Sequence, residues 1–324
     1  MEITQFIASR GYGGAEKVFI DLCNELNKKE EIKLTVILLE NNLLEKHLNK
    51  KIKIVKIKDY SKFNILLYLQ LISTVKNKVI HTHASKATKI IYYLSKILTL
   101  THIATKHNAR KGKIFNKIKN VTAVSIDVLK SIKNNNVELI YNGIIPLEKE
   151  VFPKNEVFTI RAIGRLDKIK GFDKLIADFV NIKKECVLEI IGDGPEHNNL
   201  EKKIKDLKLE SKIKLLGFRK DIPALIRSAD LIVMTSLSEG FSIVMVESIF
   251  YAKVFVSTNI SGCREILTHD LLIEQFKISK KINEIQDNYL HYSKEFDKIK
   301  YRYQKELLLE NITLKYLNYY KKLV

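Results

Sequence analysis

Leu231-Ile232-Val233-Met234-Thr235-Ser236-Leu237-Ser238-Glu239-Gly240-Phe241-Ser242-Ile243-Val244-Met245-Val246-Glu247-Ser248 changes its periodicity part-way along. Leu231–Met234 is a short apolar run that reads as a buried strand. Beyond the turn, Ile243, Val244, Val246, Ile249 and Phe250 recur at roughly helical spacing. Glu239 therefore sits on a strand-to-helix turn, with Gly240 giving the turn its freedom and Ser242 as the N-cap. A helix N-terminus presents unpaired backbone N–H groups and the positive end of a dipole, which together suit phosphate. Glu239 stands beside that anion site. Glu247 falls about 9 Å further on if the helix starts near Phe241, at about 1.5 Å per residue. Two carboxylates that far apart suit a polyhydroxylated ligand gripped at two places, not a pair sharing one proton.

Outward from this unit, strand and helix alternate in both directions. The expected strands of the first half are Ile3–Ala8, Lys33–Leu39, Ile52–Ile57, Val79–Thr82, Ile103–Lys106, Val121–Val124 and Glu138–Ile140. Helices are expected over about Asn64–Val75, Thr88–Leu98 and Ile126–Ile132. The second half repeats the pattern from Phe158–Ile163 onward and turns helical and polar from about Lys277. Alternating β and α implies mostly parallel, doubly wound sheets, whose ligands bind outside the carboxyl ends of the strands.

Those ends carry the unusual residues. After the first strand comes Gly11-Tyr12-Gly13-Gly14, either a tight turn or a close approach to phosphate. G-x-G-G is not G-x-G-x-x-G, and only Glu40 ends the second strand, so a dinucleotide site fits poorly. Thr105-Lys106-His107-Asn108 ends another strand, as do His81 and His83. A lone histidine is ordinarily structural, and His81 and His83 read as cleft-wall or packing residues, with His83 alternatively an acceptor contact. Gly164-Arg165-Leu166-Asp167-Lys168-Ile169-Lys170-Gly171 follows a strand of the second half. One Arg and one Lys, five apart on a Gly-bounded loop, are a way to aim a forked guanidinium and a point charge at a diphosphate, although most such pairs are merely solvated. Gly192-Asp193-Gly194-Pro195, Gly217-Phe218 and Ser261-Gly262-Cys263-Arg264-Glu265-Ile266 end the remaining strands.

S-x-x-E-G-F-S-x-x-x-x-E, spelled by Ser236 to Glu247, resembles the donor-sugar signature of retaining glycosyltransferases of family 4. G-R-L-x-x-x-K-G from Gly164 resembles that family's phosphate-clamping loop, and T-x-H-N, N-G-I and G-x-x-E-I stand in the family's order. The resemblance is specific over 160–270 and looser over 1–145. It implies the GT-B architecture: two facing Rossmann-like α/β domains with the nucleotide-sugar cleft between them. It implies that Glu239 binds sugar hydroxyls, that Glu247 binds the ribose, and that the Phe241–Val244 backbone (Phe241, Ser242, Ile243, Val244), with Gly240, holds the diphosphate. It implies phosphate roles for Gly13, Gly14, Gly164, Arg165 and Lys170, a base-holding backbone at Gly217 and Phe218, and a His107 near the reacting centre. No metal and no cofactor is implied. Residues 1–145 become the acceptor-side domain and 146–290 the nucleotide-sugar domain. Residues 291–324 form a helical segment free to pack back on the first.

Length and composition agree with this class: 324 residues, 46% apolar and 9% aromatic, suffice for two domains. Three scattered cysteines (Cys23, Cys186, Cys263) suggest no metal site and fit a reducing compartment. No signal peptide and no apolar run of about 20 residues is seen. The apolar stretches Ile65–Ile72 and Ile90–Leu100 read as core helices. The net charge of +19 is uneven: residues 1–145 hold 25 basic and 11 acidic side chains, and within 51–133 the count is 18 against Asp59 and Asp127. Lysine-rich composition alone would not thin out the acids in one half, so an anionic partner is expected for it. The expected enzyme moves a hexose or N-acetylhexosamine from a nucleotide-sugar, UDP-linked, to a surface-glycan or lipid-linked oligosaccharide acceptor. It works in the cytoplasm, peripherally on the anionic inner face of the membrane. The rival classes are a basic nucleic-acid- or lipid-binding module and a GT-B sugar-nucleotide epimerase. No Trp and no aromatic-interleaved basic strand argues for RNA, so no nucleic-acid partner is expected.

Overall fold

Short Val/Ile/Leu-rich runs separated by helical stretches satisfy their backbone most simply as a parallel sheet covered by helices. The computed structural model shows this twice; it describes every residue except 61–63, 76–77, 111, 134–135, 148–154 and 275–276. One unit comprises Met1–Ile144 with Leu307–Val324, the other Ile145–Glu306. Among the described residues every strand pairing is parallel.

The first unit holds β1 (Glu2–Ile7), α1 (Gly14–Leu26), β2 (Lys33–Leu39), β3 (Lys53–Ile57), α2 (Ile65–Val75), β4 (Val79–His83), α3 (Ala84–Leu94), β5 (Thr101–Lys106), β6 (Asn120–Ala123), α4 (Ile126–Lys130) and β7 (Val137–Leu139). The sheet order is β3-β2-β1-β4-β5-β6-β7, so the winding reverses between β1 and β4. Phe6, Ile37, Leu67, Leu71, Ile80, Ile90 and Ile91 fill one face of the sheet. On the other face Ile3, Phe19, Leu22, Leu26 and Val36 pack with Ile312, Tyr316 and Tyr320 of the last helix.

Two local readings change. The helix expected from Thr88 begins four residues earlier, because Ala84 takes a left-handed φ of +62° and turns the chain in one residue. That conformation costs about 1–2 kcal/mol for a residue with a Cβ. α2 is no core helix: only Leu67, Leu71 and Val75 are buried, while Ile65, Leu66 and Leu69 face outward. The helix is apolar all round, but only one stripe meets the sheet.

The second unit holds β8 (Phe158–Ile163), α5 (Phe172–Phe179), β9 (Cys186–Ile191), α6 (His197–Asp206), β10 (Ile213–Leu215), α7 (Ile222–Ser228), β11 (Leu231–Met234), α8 (Ile243–Tyr251), β12 (Phe255–Thr258), α9 (Cys263–Ile266), β13 (Leu272–Ile273), α10 (Ile278–Asp287) and α11 (Tyr289–Tyr303). Its order, β10-β9-β8-β11-β12-β13, reverses between β8 and β11. Arg161 on β8 is nearly buried and pairs with Glu189 on β9 at 2.7 Å.

The segment expected as one piece over 291–324 is divided. α11 packs on α8 within the second unit. The following α12 (Leu309–Lys321) belongs to the first, entered by a parallel bridge between Ile144 and Leu308. Gly143 permits this return, since a Cβ there would lie 2.7 Å from both Leu307 O and Ile312 Cγ1. No helix among the described residues is long and apolar enough to cross a membrane.

Candidate functional site

In an open α/β sheet the ligand crevice forms where the winding reverses, beyond the strands' carboxyl ends. In the second unit that is the loop pair after β8 and β11, which carries Arg165, Lys170 and Glu239. The two loops are laced together. Leu237 N–H donates to Ile169 O at 2.7 Å, and the Thr235 hydroxyl donates to Lys170 O at 3.0 Å. Gly171, at φ +68°, lies so close that a Cβ would come 2.2 Å from Thr235 O. On the other side Gly262, at φ +78°, would place a Cβ 2.8 Å from Gly240 O, and Thr258 Oγ1 donates to Ser236 O at 2.6 Å. The 235–242 loop is thus held between two glycine turns.

This backbone frame fixes an ion pair. Lys170 runs over Gly164, with Cε 3.3 Å from where a Cβ would be, and its Nζ meets Glu239 Oε1 at 2.5 Å. The Ser236 hydroxyl donates to the same oxygen at 3.0 Å. Among the described residues no hydrogen bond reaches Glu239 Oε2. Arg165 is exposed, and among the described residues its side chain has no partner. Ser242 takes the N-cap position of α8, but its hydroxyl makes no capping bond. α8 begins at Ile243, so Glu247 lies one turn in, about 6 Å of rise from the first helical residue, and it is buried.

The glycine ends of the other strands complete the same edge. Gly192 N–H donates to Gly217 O, and Gly164 N–H donates to Ile191 O. A Cβ on Gly192 would come 1.9 Å from Gly164 O, so packing demands glycine there. Gly217 (φ +66°) has nothing within 4 Å of a Cβ, and Phe218 beside it is exposed. Among the described residues no three His, Cys, Asp or Glu side chains gather as metal ligands.

In the first unit Gly13 is the N-cap of α1, and a Cβ on Gly11 or Gly14 would meet nothing within 4 Å. Packing inside this unit therefore does not demand glycine at Gly14. His107 follows β5 and is partly buried; its Nε2 lies 3.2 Å from His83 Nδ1. Burial lowers His107 to about 4. It pushes His81 and His83 well below the usual histidine range, with the neighbouring histidines adding to the effect. All three rings are neutral at pH 7. Sequence reasoning treated His81 and His83 as wall or packing residues and passed over Gln5, Ser236 and Tyr320. Ser236 stood inside the quoted motif. Gln5 and Tyr320 are 315 positions apart and carry no local signal.

The family model for glycosyl transferases group 1 matches residues 145–312, just over half of the chain. The chain belongs to that family. Among group 1 glycosyltransferases, one from Campylobacter jejuni is 34% identical over 154 residues, 44% of this chain and 42% of that protein. It is N-acetylgalactosamine-N,N'-diacetylbacillosaminyl-diphospho-undecaprenol 4-alpha-N-acetylgalactosaminyltransferase. The match thus spans less than half of that relative's length. A second from the same organism, GalNAc-alpha-(1->4)-GalNAc-alpha-(1->3)-diNAcBac-PP-undecaprenol alpha-1,4-N-acetyl-D-galactosaminyltransferase, is 24% identical over 87% of this chain and 88% of its own. The crystal structure of Anabaena HepE with UDP and glucose superposes with a TM-score of 0.83 at 20% identity, covering 99% of this chain and 100% of that one. At that identity the likeness speaks for the fold: two Rossmann-like α/β domains, as in GT-B glycosyltransferases.

Proposed function

We propose that this chain is a retaining glycosyltransferase of family 4 that moves a hexose or N-acetylhexosamine from a UDP-sugar to a surface-glycan or lipid-linked oligosaccharide acceptor. The observation that carries the reading is the laced loop pair at the winding reversal of the second sheet, with Arg165, Lys170 and Glu239 on it. Arg165 and Lys170 carry the charge of the leaving diphosphate, a task that metal ions do in other enzymes, so no metal is required. The uncapped N-terminus of α8 adds backbone N–H groups for the same phosphates. Glu239 binds sugar hydroxyls through the oxygen that Lys170 and Ser236 leave open, and Glu247 binds the ribose. The first unit supplies His107 and the acceptor loops, with room at Gly14 for a ligand's approach.

Lipid-linked acceptors suit the basic first half, and both Campylobacter relatives bear names that specify undecaprenol-linked substrates. We extend the reading to peripheral attachment at an anionic membrane surface, on the cytoplasmic side. A hydrolysis screen of nucleotide-sugars tests the core of the proposal: slow release of free sugar from one UDP-sugar is expected. Absence of binding and hydrolysis for every donor, with salt-sensitive RNA binding in their place, would overturn it. Conversion of a donor into its epimer without transfer would favour an epimerase.

A further inference from the structure

The first unit buries a line of polar side chains that crosses its sheet. Gln5 lies on β1, His81 and His83 on β4, Thr105 on β5, and Tyr320 on α12. All five are 0% exposed. A buried polar group without a partner costs about 1–3 kcal/mol, so such a line is expected to satisfy every donor. That requirement, together with the orientation of the Gln5 amide, fixes its direction.

The Gln5 amide Nε2 donates to Tyr320 Oη at 2.9 Å, and its Oε1 faces His83 Nε2 at 3.0 Å. A carbonyl oxygen only accepts, so His83 carries its proton on Nε2. Neutral His83 then has a lone pair on Nδ1, and the facing nitrogen, His107 Nε2 at 3.2 Å, must donate to it. In the other direction Tyr320 accepts from Gln5 and needs an acceptor for its own hydroxyl proton. His81 Nδ1, at 2.7 Å, is that acceptor. His81 therefore holds its proton on Nε2 and donates to Thr105 Oγ1 at 2.6 Å, whose own hydroxyl proton faces Thr122 Oγ1 at 2.6 Å and Tyr316 Oη at 3.5 Å. From His107 to His81 each link leaves its neighbour one choice. Turning the Gln5 amide over would reverse every member, His107 included.

We propose that Gln5 and Tyr320 are positioning residues that place the proton of His107 on Nε2 through His83. His107 then presents an unprotonated Nδ1, which accepts a hydroxyl proton and cannot donate one. Among the described residues Nδ1 makes no hydrogen bond. That consequence for a substrate hydroxyl rests on the reading above; the hydrogen-bond chain itself does not. The last helix, through Tyr320, thereby acts on a residue more than 200 positions earlier in sequence.

The test is nitrogen-15 NMR of histidine-labelled full-length protein, in which ring shifts report which nitrogen is protonated. In the wild type His83 and His107 should each show one tautomer, protonated on Nε2. Tyr320→Phe removes one oxygen and keeps the ring, and Gln5→Met removes both the donor and the acceptor of the amide. In each variant His107 should become a mixture of tautomers, with kcat down about 10-fold, as for other orienting partners, and donor KM unchanged. A purely structural role would lower the melting temperature and leave the His107 nitrogens as they were. A wild-type His107 protonated on Nδ1, measured without any variant, would overturn the proposal. So would folded variants with unchanged His107 signals. If the rings respond but no nucleotide-sugar is hydrolysed, the chain stands and the glycosyl-transfer reading falls. Hydrolysis with silent rings gives the reverse.

Discussion

Lys170 Nζ and Glu239 Oε1 are 2.5 Å apart, and each side chain is about four-fifths buried. In the proposed reading these two residues serve different parts of the donor, the lysine its phosphates and the carboxylate its sugar. Without a donor each neutralises the other. A phosphate reaching Lys170 must therefore compete with Glu239, and Glu239 gains a free oxygen for the sugar when it does. Glu239→Ala should lower donor hydrolysis about 10–100-fold, the equivalent of a charged hydrogen bond of about 1.5–3 kcal/mol. The same variant should bind free UDP at least as tightly as the wild type, because Lys170 no longer has a rival partner. Calorimetry decides: UDP affinity that collapses in Glu239→Ala would mean the carboxylate holds the lysine in place rather than competing for it.

Arg165 has no such rival. It is exposed at the carboxyl end of β8. A guanidinium forks onto two phosphate oxygens, whereas an ammonium meets them as a point charge. Arg165→Lys should therefore fall close to Arg165→Ala in turnover, and EDTA should leave the wild type unaffected. Activity abolished by EDTA and restored by Mg²⁺ would show that a metal, not the fixed cations, carries the leaving group's charge.

The glycines of the second unit differ in what they are for, and stability should separate them. A Cβ on Gly192 would sit 1.9 Å from a backbone oxygen, whereas one on Gly217 would meet nothing within 4 Å. Gly217→Ala should cost only the left-handed backbone, about 1–2 kcal/mol. Gly192→Ala adds a collision with backbone that cannot step aside and should cost about 3 kcal/mol or more. Chemical-denaturation midpoints measure both. Equal losses would contradict the contact at Gly192.

Much of this was legible because the information is local. The change of period after Met234 announces a strand and a helix, and a Gly-bounded loop announces a strand end. Such signals gave the parallel sheets and the residues on their carboxyl edges. What escaped is non-local. The Lys170–Glu239 pair joins two motifs 69 positions apart. The divided C-terminal segment depends on a close approach at Gly143. Tyr320 reads as one more apolar position on an amphipathic helix until β1 and β4 are seen beneath it. The helix start at Ala84 was misread for another reason: alanine carries no mark of the left-handed backbone it adopts.

The buried histidines give the first unit a sign of pH dependence. His102 is lowered to about 3 and His107 to about 4, both by burial. Burial, with the neighbouring histidines adding to it, holds His81 and His83 well below the usual histidine range. With folded values below the unfolded 6.5, the unfolded chain binds protons that the folded chain refuses as pH falls. Stability is thus fully present above about pH 6.5 and drains away below it, by on the order of 1 kcal/mol each for His102 and His107 at pH 5.5. Unfolding midpoints at pH 7.5 and 5.5 should differ sharply, and His102→Gln should remove part of the difference. A flat profile across that range would mean these rings take up protons in the folded state.

The last prediction concerns the surface of the first unit. Lys96 and Lys117 both stand over the Tyr92 ring, at 5.0 and 5.9 Å, so α3 and the 3-10 turn at Lys113–Lys117 form one basic and aromatic patch. Beside it Ile97 is 76% exposed, and α2, which covers the same face of the sheet, leaves Ile65 70% exposed. Apolar side chains left outside among lysines suit a boundary with water on one side and lipid on the other. Near an anionic leaflet each basic residue contributes about 1 kcal/mol, decaying within a Debye length of about 8–10 Å. Co-sedimentation should therefore show binding to anionic liposomes at low salt, weakened but not abolished as salt rises, and little binding to neutral ones. Lys111 lies outside the described residues, so the test uses Lys113 and Lys117. Lys113→Glu with Lys117→Glu should weaken binding about 30-fold or more, the equivalent of about 2 kcal/mol. Leu69→Ser should reduce the part of the binding that survives salt, because it removes insertion and leaves the charge. Donor hydrolysis should be unchanged in both variants, since neither alters a residue proposed to hold the donor. Binding that is absent at low salt, or equal on neutral lipid, would leave these lysines as a solvated face and nothing more.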